Sequence, residues 1–138
     1  MPDQSYRTFL QNLEQQGELL RFTKEVDPTQ NMAAIEWKTY NELGKASIFT
    51  NIKGHEGWQA TSEILADRKK WAIGLGVSED DILDEISDRL KNTIKTVDVD
   101  PSAAPVQEVI FEGDDVNILD VPAMMTSEED GGRYFASG

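Results

Sequence analysis

Side chains able to do chemistry are few in this sequence and unevenly placed. Carboxylates crowd into Ser78-Glu-Asp-Asp81 and continue through Asp84, Glu85 and Asp88. Two of them could work as general acid and base, but only where burial lifts one pKa toward neutrality. Ile82, Leu83, Ile86 and Leu90 give the same segment an apolar stripe, so it reads as an amphipathic helix opened at Ser78. Acids in its first turn are favoured by the helix dipole and face water, a solvated surface and not a catalytic pair. The one histidine, His55, lies in the loop from Gly54 to Gly57 without a second His, a Cys or an obvious carboxylate partner nearby. It is expected at the surface, neither base nor ligand. Gly74-Leu-Gly76 lacks a third glycine and follows no strand, so it is no dinucleotide fingerprint. The absence of cysteine removes thiolate metal sites and disulfides, and fits a reducing compartment.

The elements that would position such residues follow a helix-strand alternation. Ser5 caps a helix in which Tyr6, Phe9, Leu10 and Leu13 recur on one face, and Gly17 stops it. Glu18 to Val26 reads as a strand with Leu20, Phe22 and Val26 on one side and Arg21 and Glu25 on the other. Asp27-Pro28 breaks the strand and opens a helix that carries Ile35, Thr39 and Leu43 to Gly44, with Trp37 and Tyr40 off the stripe and packed on a neighbouring element. Ala46 to Ile52 is a second strand, Trp58 to Ser62 a weaker third. Asp67 caps a short helix closed by Gly76. Beyond the acidic helix, Lys95 to Pro105 has prolines and no period and reads as a linker. Val106 to Glu112 and Val116 to Val121 are expected as strands about a turn at Gly113-Asp-Asp115. Glu128-Glu-Asp130 then runs into Gly131-Gly132, after which Tyr134-Phe135 opens an apolar strand that the sequence does not complete. The expectation is the front part of a longer protein.

Charge narrows the function classes. The net charge is −13; residues 1–78 hold 9 Lys/Arg and 10 Asp/Glu, whereas residues 79–130 hold 3 against 16. So acidic a face repels phosphate backbones, which argues against nucleic-acid binding. No run of about 18 apolar residues marks a membrane span, and the polar Met1-Pro-Asp-Gln-Ser is no signal peptide, so a cytoplasmic location is expected.

Several segments in order carry a family resemblance. Tyr6-Arg-Thr-Phe-Leu-Gln-Asn-Leu-Glu-Gln-Gln-Gly-Glu-Leu-Leu-Arg21, Glu25-Val-Asp27, and Ile48-Phe49 before Asn51-Ile-Lys-Gly54 resemble the start of the UbiD family of carboxy-lyases. Asp67 to Gly76, Leu119-Asp-Val-Pro122 and Glu129-Asp-Gly-Gly132 follow in the order of that family. The resemblance implies a reversible, non-oxidative decarboxylase of aromatic or α,β-unsaturated carboxylic acids, homo-oligomeric at full length, using prenylated FMN, Mn²⁺ and K⁺. It implies that the flavin forms an adduct with the substrate and takes up the electrons released with CO₂, while a Glu-Arg-Glu set moves the proton. It also implies an α/β (α+β) fold: a mixed-sheet N-terminal domain with amphipathic helices over 1–97, a linker over 98–105, and over 106–138 the truncated first strands of a split β-barrel that binds the flavin. No Arg flanked by carboxylates follows Arg133, and no Asn, His and Glu set matches the family's metal ligands. No catalytic, cofactor-binding or metal-binding residue is therefore carried over, and the chain alone is expected to be inactive and without cofactor. Its partner would be the remainder of the same enzyme.

The contrasting reading is a freestanding acidic protein-interaction module without catalysis, in which the acidic helix recruits a partner. An acidic mimic of nucleic acid would need its charge spread over one broad face, whereas here it is concentrated in one helix and loops.

Overall fold

The computed structural model describes Asp3 and residues 5–133. Its sheet has three strands, β1 (Leu19–Phe22), β2 (Ala46–Phe49) and β3 (Ala60–Ser62), in the order β1-β2-β3. Strand β1 runs parallel to β2 with Leu19 opposite Ala46 and Phe22 opposite Phe49; β3 is antiparallel, with Ser47 opposite Ser62. A parallel bridge between Val26 and Ile52 extends the first pair.

Helices cover both faces of this sheet, which is why β2 is buried at every position instead of alternating. On one face, α1 (Tyr6–Gln15) and α3 (Arg68–Leu75) bring Leu13, Phe9, Leu10 and Ile73 onto Leu19, Ala46 and Ile48. On the other, α2 (Met32–Leu43) brings Met32 and Ile35 onto Val26, Phe49 and Ile52. The rings of Phe22 and Phe49 stack there, with centroids 5.3 Å apart. The last helix, α4 (Ile82–Lys91), packs on α3.

The helix ends follow local chemistry. Ser5 accepts from the Thr8 N–H, and Asp67 from the Lys70 N–H, each satisfying a free donor of a first turn. Gly17, at φ +71°, closes α1: its N–H donates to the Glu14 carbonyl at 3.0 Å and that of Glu18 to Leu13 at 2.8 Å. Such a conformation costs glycine nothing.

Three expectations need correction. Helix α2 begins at Met32, not after Asp27-Pro28. The Asp27 carbonyl instead accepts from Gln30, Asn31 and Met32, and its carboxylate from the N–H and hydroxyl of Thr29, forming a separate turn that competes with the helix. The buried face of α2 is Met32, Glu36 and Thr39, whereas Leu43 is exposed. Residues 106–112 and 116–121 contain no strand; the segment holds single 3₁₀ turns at Pro101–Ala103, Pro105–Gln107, Gly113–Asp115 and Ile118–Asp120. A strand needs a hydrogen-bonded neighbour, and among the described residues this segment pairs with none of the three strands. The strand expected at Tyr134-Phe135 lies outside the described residues.

Candidate functional site

Titratable groups meet at two places on the folded body. At the first, the C-terminal end of α2 and the start of α3 converge on the residue before β1. Glu18 is buried and receives Lys69 Nζ at 2.6 Å and Lys45 Nζ at 2.9 Å. Burial pushes its carboxyl pKa up, but the hydrogen bonds from Lys69 and Lys45 outweigh that and hold it below its ordinary value. Lys70 alongside has no exposed surface: its ammonium pairs with Asp67, donates to the Gly44 carbonyl at 2.8 Å and lies 5.4 Å from the centre of the Tyr40 ring. Every charge in this group has a partner, and the group locks α2, β2 and α3 together. It is a structural network.

The second place is a carboxylate pair. Glu36 on α2 is buried against Glu63, which follows β3 and has the left-handed φ of +58° that non-glycine residues rarely adopt. Burial first, then a shared hydrogen bond with Glu63 and its charge, raise the Glu36 pKa from 4.5 to about 7, against a hydrogen bond from Ser62 that lowers it. Such a pair can hold one proton and exchange it near neutrality. Glu36 also lines a groove of about 490 Å³ between α2 and residues 125–128, bordered by Thr29, Ala33, Trp37 and Met125. No three His, Asp or Glu residues among those described lie close enough together to hold a metal ion.

His55 is buried, not on the surface: its Nδ1–H donates to the Asp120 carbonyl at 2.9 Å, and the ring pins the distant segment that leads to Pro122. Nothing near His55 in sequence signals this contact, because Asp120 lies 65 residues away. The acids of 79–88 do face water, except Glu85, which is half-buried and pairs with Arg89 Nε at 2.7 Å. Trp37 is exposed at 64 % and lines the groove beside α2, so it is not packed away as expected, whereas Tyr40 is half-buried and donates to the Ala66 carbonyl at 3.3 Å. Gly74 serves packing: a Cβ there would stand 3.2 Å from Phe9 Cε2, so its small size lets α3 approach α1.

The Glu36–Glu63 pair and the buried Lys70 escaped the sequence reading. A weak signal existed for the first, since Glu36 sits four residues after Met32 and three before Thr39, on one helical face.

Residues 10–90 match the model of the 3-octaprenyl-4-hydroxybenzoate carboxy-lyase N-terminal domain, the N-terminal domain of the UbiD family. The chain belongs to this family. Other UbiD proteins are similar over nearly all of it. Pyrrole-2-carboxylic acid decarboxylase of Pseudomonas aeruginosa is 29% identical over 96% of this chain, and ferulic acid decarboxylase 1 of Saccharomyces cerevisiae 28% identical over 96%. In the closed form of vanillic acid decarboxylase from Sedimentibacter hydroxybenzoicus, the likeness covers 96% of this chain with a TM-score of 0.84 at 27% identity. The UbiD-class enzyme HmfF from Pelotomaculum thermopropionicum, in an evolved dimeric form in complex with prFMN, matches over 95% with a TM-score of 0.80 at 27% identity. The chain spans 29% of the length of the two curated relatives and 29% and 30% of the two solved chains. The mixed α/β architecture is therefore that of the UbiD N-terminal domain.

Proposed function

We propose that this chain is the N-terminal part of a reversible, non-oxidative carboxy-lyase acting on an aromatic or α,β-unsaturated carboxylic acid. The observation that carries the reading is the UbiD domain match over residues 10–90, with likeness to decarboxylases extending over nearly the whole chain. In this reading, residues 1–97 are the N-terminal α/β domain, 98–105 the connection, and 106–138 the lead into the flavin-binding barrel. Prenylated FMN, Mn²⁺ and K⁺ belong to the whole enzyme; HmfF has been solved with prFMN and with FMN. The described residues do not fit the metal ions. They supply no cluster for a metal, and the one histidine is spent on Asp120. In this reading the chain itself contributes no catalytic, cofactor-binding or metal-binding residue, is inactive alone, and works against the remaining domains of a homo-oligomeric cytoplasmic enzyme. Its own part is structural: a rigid α/β body and a long connecting segment.

The deciding experiment is the intact mass and absorbance of the product of the native gene, made in cells that supply prenylated flavin. The expected product is several times heavier than 15.5 kDa, releases a flavin on denaturation and liberates CO₂ from aromatic or acrylic acids. A native product near 15.5 kDa without flavin would remove the decarboxylase reading and leave a freestanding acidic interaction module.

A further inference from the structure

Residues 94–121 are held at both ends. At the front, α4 is tied to α3 by Arg89, which donates to the Leu75 carbonyl at 2.9 Å. At the back, His55 holds Asp120, the Met125 N–H donates to the Pro28 carbonyl at 2.9 Å, Ala123 is buried, and Met124 packs on the Val26–Phe49 cluster. Between these anchors the backbone hydrogen bonds among the described residues close only local turns, such as Ala103 to Asp100 and Val116 to Gly113.

Two chemistries are interleaved along the span. Ten apolar side chains from Ile94 to Leu119 are 60% to 86% exposed, among them Val106, Ile110 and Phe111. Residues 96–132 hold seven carboxylates between Asp98 and Asp120 and three more at 128–130, ten in all, with no Lys, Arg or His. An apolar strip of this extent on a solvated surface marks a contact, and the acids within it select what makes that contact. The folded body is no source of surplus cations: its first 78 residues carry 9 Lys/Arg against 10 Asp/Glu. Arg21, Lys45, Lys53, Lys69 and Lys70 are already in ion pairs. A second copy would bring another −13 against the same strip.

We propose that residues 94–121 form a strap that docks on an apolar surface rimmed by Lys and Arg, located in the part of the same polypeptide that the relatives possess and this chain does not span. The inference rests on the decarboxylase reading above and adds to it the place and chemistry of the contact. Apolar side chains provide the burial, while the carboxylates fix the register and exclude acidic surfaces, including other copies of the strap.

The test is hydrogen exchange with mass spectrometry on the whole native protein. Amides of 94–119 should exchange at least tenfold more slowly than an unstructured peptide. Raising salt from about 0.05 M to about 0.5 M should speed that exchange, because the Debye length shrinks severalfold. The variant Glu112→Gln/Asp114→Asn/Asp115→Asn should lower the protection and blunt its salt dependence, with flavin content reporting that the fold is intact. Unprotected amides in a protein that carries flavin and decarboxylates would overturn the strap and leave the enzyme reading standing. Protection indifferent to both salt and neutralisation would overturn the basic rim. A native product of 15.5 kDa without flavin would remove the decarboxylase reading itself, and the strap with it.

Discussion

Valine, isoleucine, leucine and phenylalanine recur through both residues 5–93 and residues 94–121, but only the first region buries them as a core. In the body, Phe49 and Ile48 lie on opposite faces of one strand and each meets a helix. In the strap, Phe111 and Ile110 adjoin in the same way and both remain largely in water. What separates the regions is a pairing partner. Strand β2 has a hydrogen-bonded neighbour on each side, and the strap has none among the described residues. Apolar content makes burial favourable, while topology decides where in the chain it can occur.

The largest effect that could break this contrast is a matched pair of truncations. Phe49→Ala removes a fully buried ring stacked on Phe22 and should cost about 3–5 kcal/mol. Phe111→Ala in this same chain should fall within about 0.5 kcal/mol of the parent, as surface changes do. Urea unfolding of both variants measures the difference. Similar losses from the two would mean that the strap has a core of its own.

A smaller effect sharpens the contrast for charges. Lys70→Met strips an ammonium with no exposed surface from Asp67 and from the Gly44 carbonyl. Because Asp67 is itself partly solvated, the expected loss is about 2–3 kcal/mol, below the full value for a buried pair. Asp114→Asn in the strap should leave urea stability unchanged to about 0.5 kcal/mol. A silent Lys70→Met would show that the ion group beside Glu18 does not hold α2, β2 and α3 together.

Features fixed by neighbours in sequence were the legible ones. The caps at Ser5 and Asp67, the stops at Gly17 and Gly76, and the three strands of the sheet all follow from residues within a turn or two. The UbiD resemblance was legible too, because its segments keep their order along the chain. Contacts that depend on distant residues were not. The burial of His55 requires Asp120, and the raised pKa of Glu36 requires Glu63 on another element. Pro28 misled for the opposite reason: a local turn built by Asp27 competed with the helix start and won. The strands expected at 106–112 and 116–121 rest on two runs about the turn at Gly113-Asp-Asp115, a local pattern that states a preference but cannot supply the partner.

The smallest effect concerns a proton. In the body, burial and Glu63 raise the Glu36 pKa to about 7; in the strap, the Ser102 hydroxyl and then its N–H lower that of Asp100. The two shifts act on stability in opposite directions. Between pH 4.5 and about 7 the folded chain keeps a proton at Glu36 that the unfolded chain has released. This contribution is whole below pH 4.5 and disappears as pH rises through 7. Asp100 contributes above its unfolded value of 3.8 and loses that contribution as pH falls through its folded value. Raising pH from 5 to 8 should therefore cost the parent on the order of 1–2 kcal/mol through the carboxylate pair. Glu36→Gln, which cannot ionise, should remove most of that slope, whereas Asp100→Asn should leave it intact and alter only the acid limb. Thermal melts across this pH range distinguish them. An unchanged slope in Glu36→Gln would place the pH response outside the α2–β3 contact, and the carboxylate pair would then lose its role as the neutral-range proton site of the body.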